Sequence, residues 1–272
     1  MGRSRRLGRT VLLSYQHGFH AGNRADVFKH AVLFSILEIA ARADHPWLYI
    51  ETHSAAGNYD LTSSQSRKTG EADQGVTRLL DMGQAPEPLG PWLDFVRSCT
   101  VRNYPGSPAL ARHCLRDQDR MVFFEKHPAE YEKLSRSLAS DKRTRALKED
   151  GYKGALTLQP RSKERLIAFL DPSYETDRDM EALADWIPRA LKRWPKAMFL
   201  VWMPLFKDER ELEFGQFLAS LDYGFVAGTH WPPESDKDTA LTGSAMIGLR
   251  TTPAMARPAY AIGEALDNLW SR

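Results

Sequence analysis

Four stretches of the chain are apolar without interruption: Trp47-Leu48-Tyr49-Ile50, Met121-Val122-Phe123-Phe124, Leu166-Ile167-Ala168-Phe169-Leu170 and Met198-Phe199-Leu200-Val201-Trp202-Met203. Short continuous runs of this kind read as strands buried on both faces, as in a parallel sheet. The first two end in a carboxylate, Glu51 and Glu125, and the third runs into Asp171-Pro172-Ser173-Tyr174. A weaker strand precedes Asp150, and residues 225–231 and 244–249 read as a closing pair around a polar loop.

Helical patterns fill the gaps. Residues 31–40 are apolar almost all round, which predicts a buried helix capped by Asn23 or Asp26. Helices are also predicted near 128–138, 178–194 and 207–221, and Ser107 with Pro108 predicts an N-cap and first turn for a helix through Leu115. Strands alternating with helices predict an α/β fold with a mostly parallel, seven-stranded sheet. Residues 60–101 break the alternation with two helical stretches, 71–82 and 89–98, where a crossover needs far fewer residues. The expected organisation is a basic extension at 1–13, a main domain at 14–59 and 102–272, and an inserted helical subdomain at 60–101.

Composition narrows the classes. A chain of 272 residues, 42% hydrophobic, can bury a full core. No apolar run is long enough for a membrane span. Cys99 and Cys114 stand too far apart for a metal knuckle or a disulfide framework, which suits a reduced, cytoplasmic protein. His17, His20 and His30 lack the spacing of a metal motif, so no metal is expected. The net charge of +2 points to no nucleic-acid partner by itself, so binding of that kind needs local patches.

The candidate chemistry sits at Asp171. Pro172 cannot donate to a sheet ladder, so Asp171 and Tyr174 belong at the carboxyl end of a central strand, where ligands bind in open α/β sheets. A carboxylate and the Pro172 carbonyl can accept both hydrogens of an exocyclic amine, and Tyr174 offers a stacking face. Glu125, ending the second strand, suits a ribose diol. Ser54-Ala55-Ala56-Gly57 is a small-residue turn that lets backbone approach a cofactor, but only Gly57 is a glycine, which argues against a nicotinamide fingerprint.

These motifs lie in order along residues 13–250: His17 through His30, Thr52-His53, Thr69-Gly70-Glu71, Tyr104 to Pro108, Glu125-Lys126-His127-Pro128, Asp150-Gly151 and Asp171-Pro172-Ser173-Tyr174. Together they resemble the large-subunit (23S) ribosomal RNA adenine-N6 methyltransferases of the RlmJ type. The resemblance implies a class I methyltransferase fold and S-adenosylmethionine as cofactor. It implies cofactor contacts at His30, His53, Ser107, Glu125, Asp150 and Gly151. It makes Asp171, Pro172 and Tyr174 the catalytic set, and gives Tyr15 and Lys29 to the RNA. The implied partner is 23S rRNA, protein-free or in an early assembly intermediate, met by a monomer without metal or membrane. The alternatives are adenine-N6 methylation of DNA or another RNA, or a silent RNA-binding relative. Two places depart from the family pattern: Ser173 stands where a second proline is usual, and Glu51 with Ala55-Ala56 replaces an aspartate and a glycine. Both hydrogen-bonding groups survive, so activity is expected.

Overall fold

The computed structural model describes residues 17–176, 178–233, 235 and 240–271. Tyr15 and the basic extension 1–13 lie outside them.

Helix α1 (Arg24–Ala40) starts at Asn23, whose side chain accepts a hydrogen bond from the Asp26 amide. Of the two candidate caps, Asn23 is used, which frees the Asp26 carboxylate for the interior. Strand β1 (Trp47–Glu51) follows, buried at every position. A short strand β2 (Asn58–Tyr59) comes next, then four helices: α2 (Ser64–Thr69), α3 (Glu71–Gln74), α4 (Val76–Leu80) and α5 (Gly90–Ser98). Strand β3 (Tyr104–Pro105) pairs antiparallel with β2 and ties the ends of that helical stretch together. The long helix expected at 71–82 is cut at Gly75 by packing: a Cβ there would come within 2.1 Å of the Gly22 carbonyl oxygen. Residues read as polar loop form α2, capped by Ser63 and stopped by Gly70 at φ +65°.

The remaining elements are α6 (Ser107–Cys114), β4 (Arg120–Phe124), α7 (Pro128–Leu138), β5 (Thr144–Leu147), α8 (Gly151–Ala155), β6 (Arg165–Leu170), α9 (Arg178–Arg193), β7 (Met198–Phe206), α10 (Leu212–Ala219), β8 (Tyr223–His230), β9 (Leu241–Leu249) and α11 (Pro253–Trp270). The main sheet has seven strands in the order β5-β4-β1-β6-β7-β9-β8. All pairs from β5 to β7 are parallel, and β9 runs antiparallel between β7 and β8. That is the class I methyltransferase order, with the closing hairpin folded back beside β7. The strand order reverses between β1 and β6, so the ends of these neighbours face the crevice where α/β proteins bind ligands.

Helix α11 follows the last of the predicted strands and carries two prolines, Pro253 and Pro258. Pro253 lies in the first turn, where its missing N–H costs nothing. The helix packs on α1 and β8, so closely that a Cβ on Gly263 would lie 2.3 Å from the Gly228 carbonyl oxygen. Among the described residues no helix is long and apolar enough to cross a membrane.

Candidate active site

Strand β6 carries five buried residues to Leu170 and delivers Asp171 at its carboxyl end. Two cavities, of about 300 and about 370 Å³, meet at the turn that follows, and His17 and Ser173 line both. The smaller is walled by the loops after β1, β4, β5 and β6. All six residues assigned to the cofactor line it, namely His30, His53, Ser107, Glu125, Asp150 and Gly151, with Asp171 and Pro172 at its edge.

Local backbone geometry places each group. Glu125 extends one residue past β4, where Oε2 accepts from the Ala55 amide (2.8 Å) and Oε1 from the His127 amide (2.6 Å). Burial raises its pKa above the ordinary carboxylate range, against those two donors. Asp150 caps α8 by accepting from the Lys153 amide. Gly151 is required sterically, since a Cβ would sit 2.0 Å from the Thr52 carbonyl oxygen. Ala55 takes φ +46°, a left-handed conformation that costs a non-glycine residue about 1 kcal/mol. The alanine that departs from the family's glycine in this turn therefore carries backbone strain.

The two histidines are neutral. Burial lowers the pKa of His30 to about 3 and that of His53 to about 4. His53 Nδ1 lies 2.9 Å from Thr52 Oγ1, and its ring meets the edge of Tyr152 at 4.8 Å. Among the described residues, His30 Nδ1 and Tyr152 Oη are buried with no hydrogen-bond partner, and both residues line this cavity. Unpaired buried polar atoms are costly and mark where a polar ligand is missing. Ser107 departs from expectation locally: Gly106 is the N-cap, Ser107 is the first helical residue, and its hydroxyl donates to Glu51 Oε2 (3.0 Å). Glu51 is fully buried, also accepts from the Tyr49 hydroxyl (2.6 Å), and has its pKa pushed up to about 8 by burial.

Asp171 is held from the other side. Lys29 Nζ donates to its Oδ2 at 2.7 Å and pairs with Asp26 Oδ1 at 2.9 Å, 4.7 Å above the Trp202 ring. Burial would strip the charge from Lys29, but the two carboxylates outweigh it and raise its pKa. Burial also raises Asp171, and Lys29 offsets part of that rise. Asp26 is pushed up by burial yet held well below the ordinary range by His17 and Lys29. Lys29, which the resemblance gives to the RNA, lines the larger cavity; its side chain is 3% exposed and engaged by two carboxylates, those of Asp26 and Asp171.

The larger cavity lies beyond this ion pair. Tyr174, at φ +51°, donates its hydroxyl to the Trp202 carbonyl oxygen (2.5 Å) and sets its ring at 68° to that indole. Tyr174 lines this second cavity with Trp202, Phe206 and Trp231, three aromatic residues that the sequence analysis did not assign to a site. An indole at the end of a buried strand carries no sequence mark separating cavity wall from core. His20, Asn23 and Glu71 supply the polar wall opposite. Among the described residues no group of three or more His, Cys, Asp or Glu is placed to hold a metal ion.

Comparison with known proteins agrees with this architecture. The family described as "Ribosomal RNA large subunit methyltransferase D, RlmJ" matches residues 44–269. Ribosomal RNA large subunit methyltransferase J of Escherichia coli strain K12 is 37% identical over 198 residues, 71% of each chain. The protein of the same name from Haemophilus influenzae is 35% identical over 199 residues, again 71% of each chain. A crystal structure of a Legionella pneumophila protein superposes with a TM-score of 0.83 at 26% identity, covering 92% of this chain and 94% of that one. The chain belongs to the RlmJ family of large-subunit ribosomal RNA methyltransferases.

Proposed function

We propose that this protein transfers a methyl group from S-adenosylmethionine to the N6 amino group of an adenine in 23S rRNA, with Asp171 as the residue that meets the amine. The observation that carries this reading is the position of Asp171 in the cavity lined by all six expected cofactor residues, two residues before Ser173, which lines both that cavity and the aromatic-walled one.

The buried, unpartnered His30 Nδ1 and Tyr152 Oη fit a polar ligand in the smaller cavity, and Glu125 just past β4 fits a ribose diol. The bound cofactor supplies an electrophilic methyl on a sulfonium. The chain does the rest by placement. Asp171 and the Pro172 carbonyl accept the two N6 hydrogens, which favours a more tetrahedral nitrogen with its lone pair directed at the methyl. Lys29, bonded to Oδ2, fixes the rotamer of the Asp171 carboxylate. Holding the reactants at near-attack distance supplies much of the rate. The N6 proton then leaves to Asp171 or to water. The adenine must be unstacked to enter, which favours rRNA not yet covered by protein. An rRNA substrate fits a cytoplasmic enzyme. We read 60–101 as an inserted subdomain that walls the substrate side.

The test is methyl transfer from labelled cofactor to protein-free rRNA, followed by nucleoside analysis. Labelled N6-methyladenosine is the expected product. Asp171→Ala should reduce transfer at least about a hundredfold while the cofactor still binds. Full activity in that variant would end the assignment. Label on duplex DNA alone, or cofactor-independent RNA binding with no transfer, would replace it with one of the two alternative readings.

A further inference from the structure

Glu71 of the Thr69-Gly70-Glu71 motif does more than wall the larger cavity: it is linked to Asp171 through an unbroken chain of hydrogen bonds and ion pairs. Glu71 uses both carboxylate oxygens on the turn that precedes α1. Oε1 lies 2.8 Å from His20 Nδ1, and Oε2 accepts from Asn23 Nδ2 at 2.9 Å. Thr69 Oγ1 donates to the Phe19 carbonyl oxygen at 2.5 Å, and the Val76 amide donates to the Gly22 carbonyl oxygen at 2.8 Å. Asn23 in turn caps α1 by accepting from the Asp26 amide, and the Gly22 amide donates to Asp26 Oδ2 at 3.0 Å. Asp26 pairs with Lys29, and Lys29 with Asp171. His20, Asn23 and Glu71 all line the larger cavity.

We propose that Glu71 is a positioning residue for methyl transfer: from the helical insertion, it holds the 17–23 turn so that the wall facing the target nucleotide and the Asp26–Lys29–Asp171 chain keep one arrangement. The proposal rests on the function given above. The physical case is the density of ties. A turn with Gly22 at φ +80° has little regular structure of its own, and four hydrogen bonds from three residues of the insertion, Thr69, Glu71 and Val76, hold it. Loss of the Glu71 carboxylate removes two of them at once. Asp171 and His17 reach the edge of the cofactor cavity, but none of the six residues assigned to the cofactor takes part in this chain of contacts. Glu71 therefore acts on turnover and RNA use, and leaves cofactor binding alone.

The experiment is steady-state methylation of protein-free rRNA by the full-length enzyme, with cofactor affinity measured by calorimetry on the same preparations. Glu71→Ala should lower kcat about ten- to a hundredfold, since a small misplacement of reacting groups costs that much, with cofactor Kd within about twofold of wild type. Glu71→Gln can still accept from Asn23 and donate to a neutral His20, so it should recover most of the loss. Thr69→Val, which removes a different tie to the same turn, should shift kcat the same way by less and stands in if Glu71→Ala does not fold. Wild-type kcat and KM in both Glu71→Ala and Thr69→Val would overturn the proposal. So would a loss of cofactor affinity equal to the loss of turnover, which marks general damage. Failure of the wild-type enzyme to methylate any rRNA would instead overturn the function itself.

Discussion

The two cavities that meet at the turn after β6 are similar in volume, about 300 and about 370 Å³, but they are built in opposite ways. The cofactor side is assembled where strands end. His53 and Glu125 stand within two residues of β1 and β4, Asp150 and Gly151 open α8, and Ser107 opens α6. A buried strand end has one exit direction, and its next residues are committed to the crevice. The substrate side is assembled from parts far apart in the chain: the turn before α1, the insertion, the end of β7 and the closing hairpin. Its aromatic wall is continuous with the core. The lesson is that cofactor geometry here is a property of the sheet, and substrate geometry is a property of what is packed around it.

That contrast can be broken by substitutions that touch one side only. The largest effect should come from Glu125→Ala. It removes a carboxylate poised for a charge-assisted hydrogen bond to the cofactor, worth about 1.5–3 kcal/mol, so cofactor Kd should rise about 10- to 100-fold. Turnover at saturating cofactor should change little, as calorimetry beside steady-state kinetics would report. An unchanged Kd would remove Glu125 from the cofactor site. Trp231→Ala should do the reverse and more weakly. Loss of a stacking wall worth about 1–3 kcal/mol should raise KM for RNA about tenfold and leave cofactor Kd alone. A parallel loss of cofactor binding would show that the two cavities are coupled.

The smallest effect on activity should follow Glu51→Gln, which sharpens the comparison through pH. Glu51 has a folded pKa of about 8 against an ordinary value near 4.5, because burial disfavours its charge. The folded protein keeps this proton where the unfolded chain has lost it. Its stabilising contribution is therefore full below about pH 4.5 and is lost as pH rises through about 8. Glu51→Gln cannot ionise, so its thermal midpoint should fall less than that of wild type between pH 6 and pH 8.5. Parallel pH profiles for the two proteins would mean that Glu51 is already ionised at neutral pH.

Several local features resisted sequence reading for identifiable reasons. Gly75 breaks an otherwise helical pattern because the backbone at Gly22 comes too close for any side chain, and no property of the 71–82 segment records that neighbour. Helix α11 carries two prolines that argue against a helix, and its burial against α1 and β8 outweighs them. Ser107 has the chemistry of an N-cap, but the buried Glu51 competes for its hydroxyl and wins. Lys29 reads as a solvent-facing cation on a helix, yet residues 26 and 29 share a helix face, and Asp171 arrives from a strand 142 positions away.

The sequence by itself determined the α/β class, the strands that carry Glu125 and Asp171, and the small-residue turns that allow close backbone approach. Those follow from local rules: continuous apolar runs bury, proline ends ladders, and residues just past a strand lie at its end. Only the tertiary structure decided that Lys29 serves Asp171, that Trp202 and Trp231 face a cavity, and that Glu71 reaches across to the turn before α1. Each depends on which distant segment supplies the partner, and local propensity carries no information about that choice.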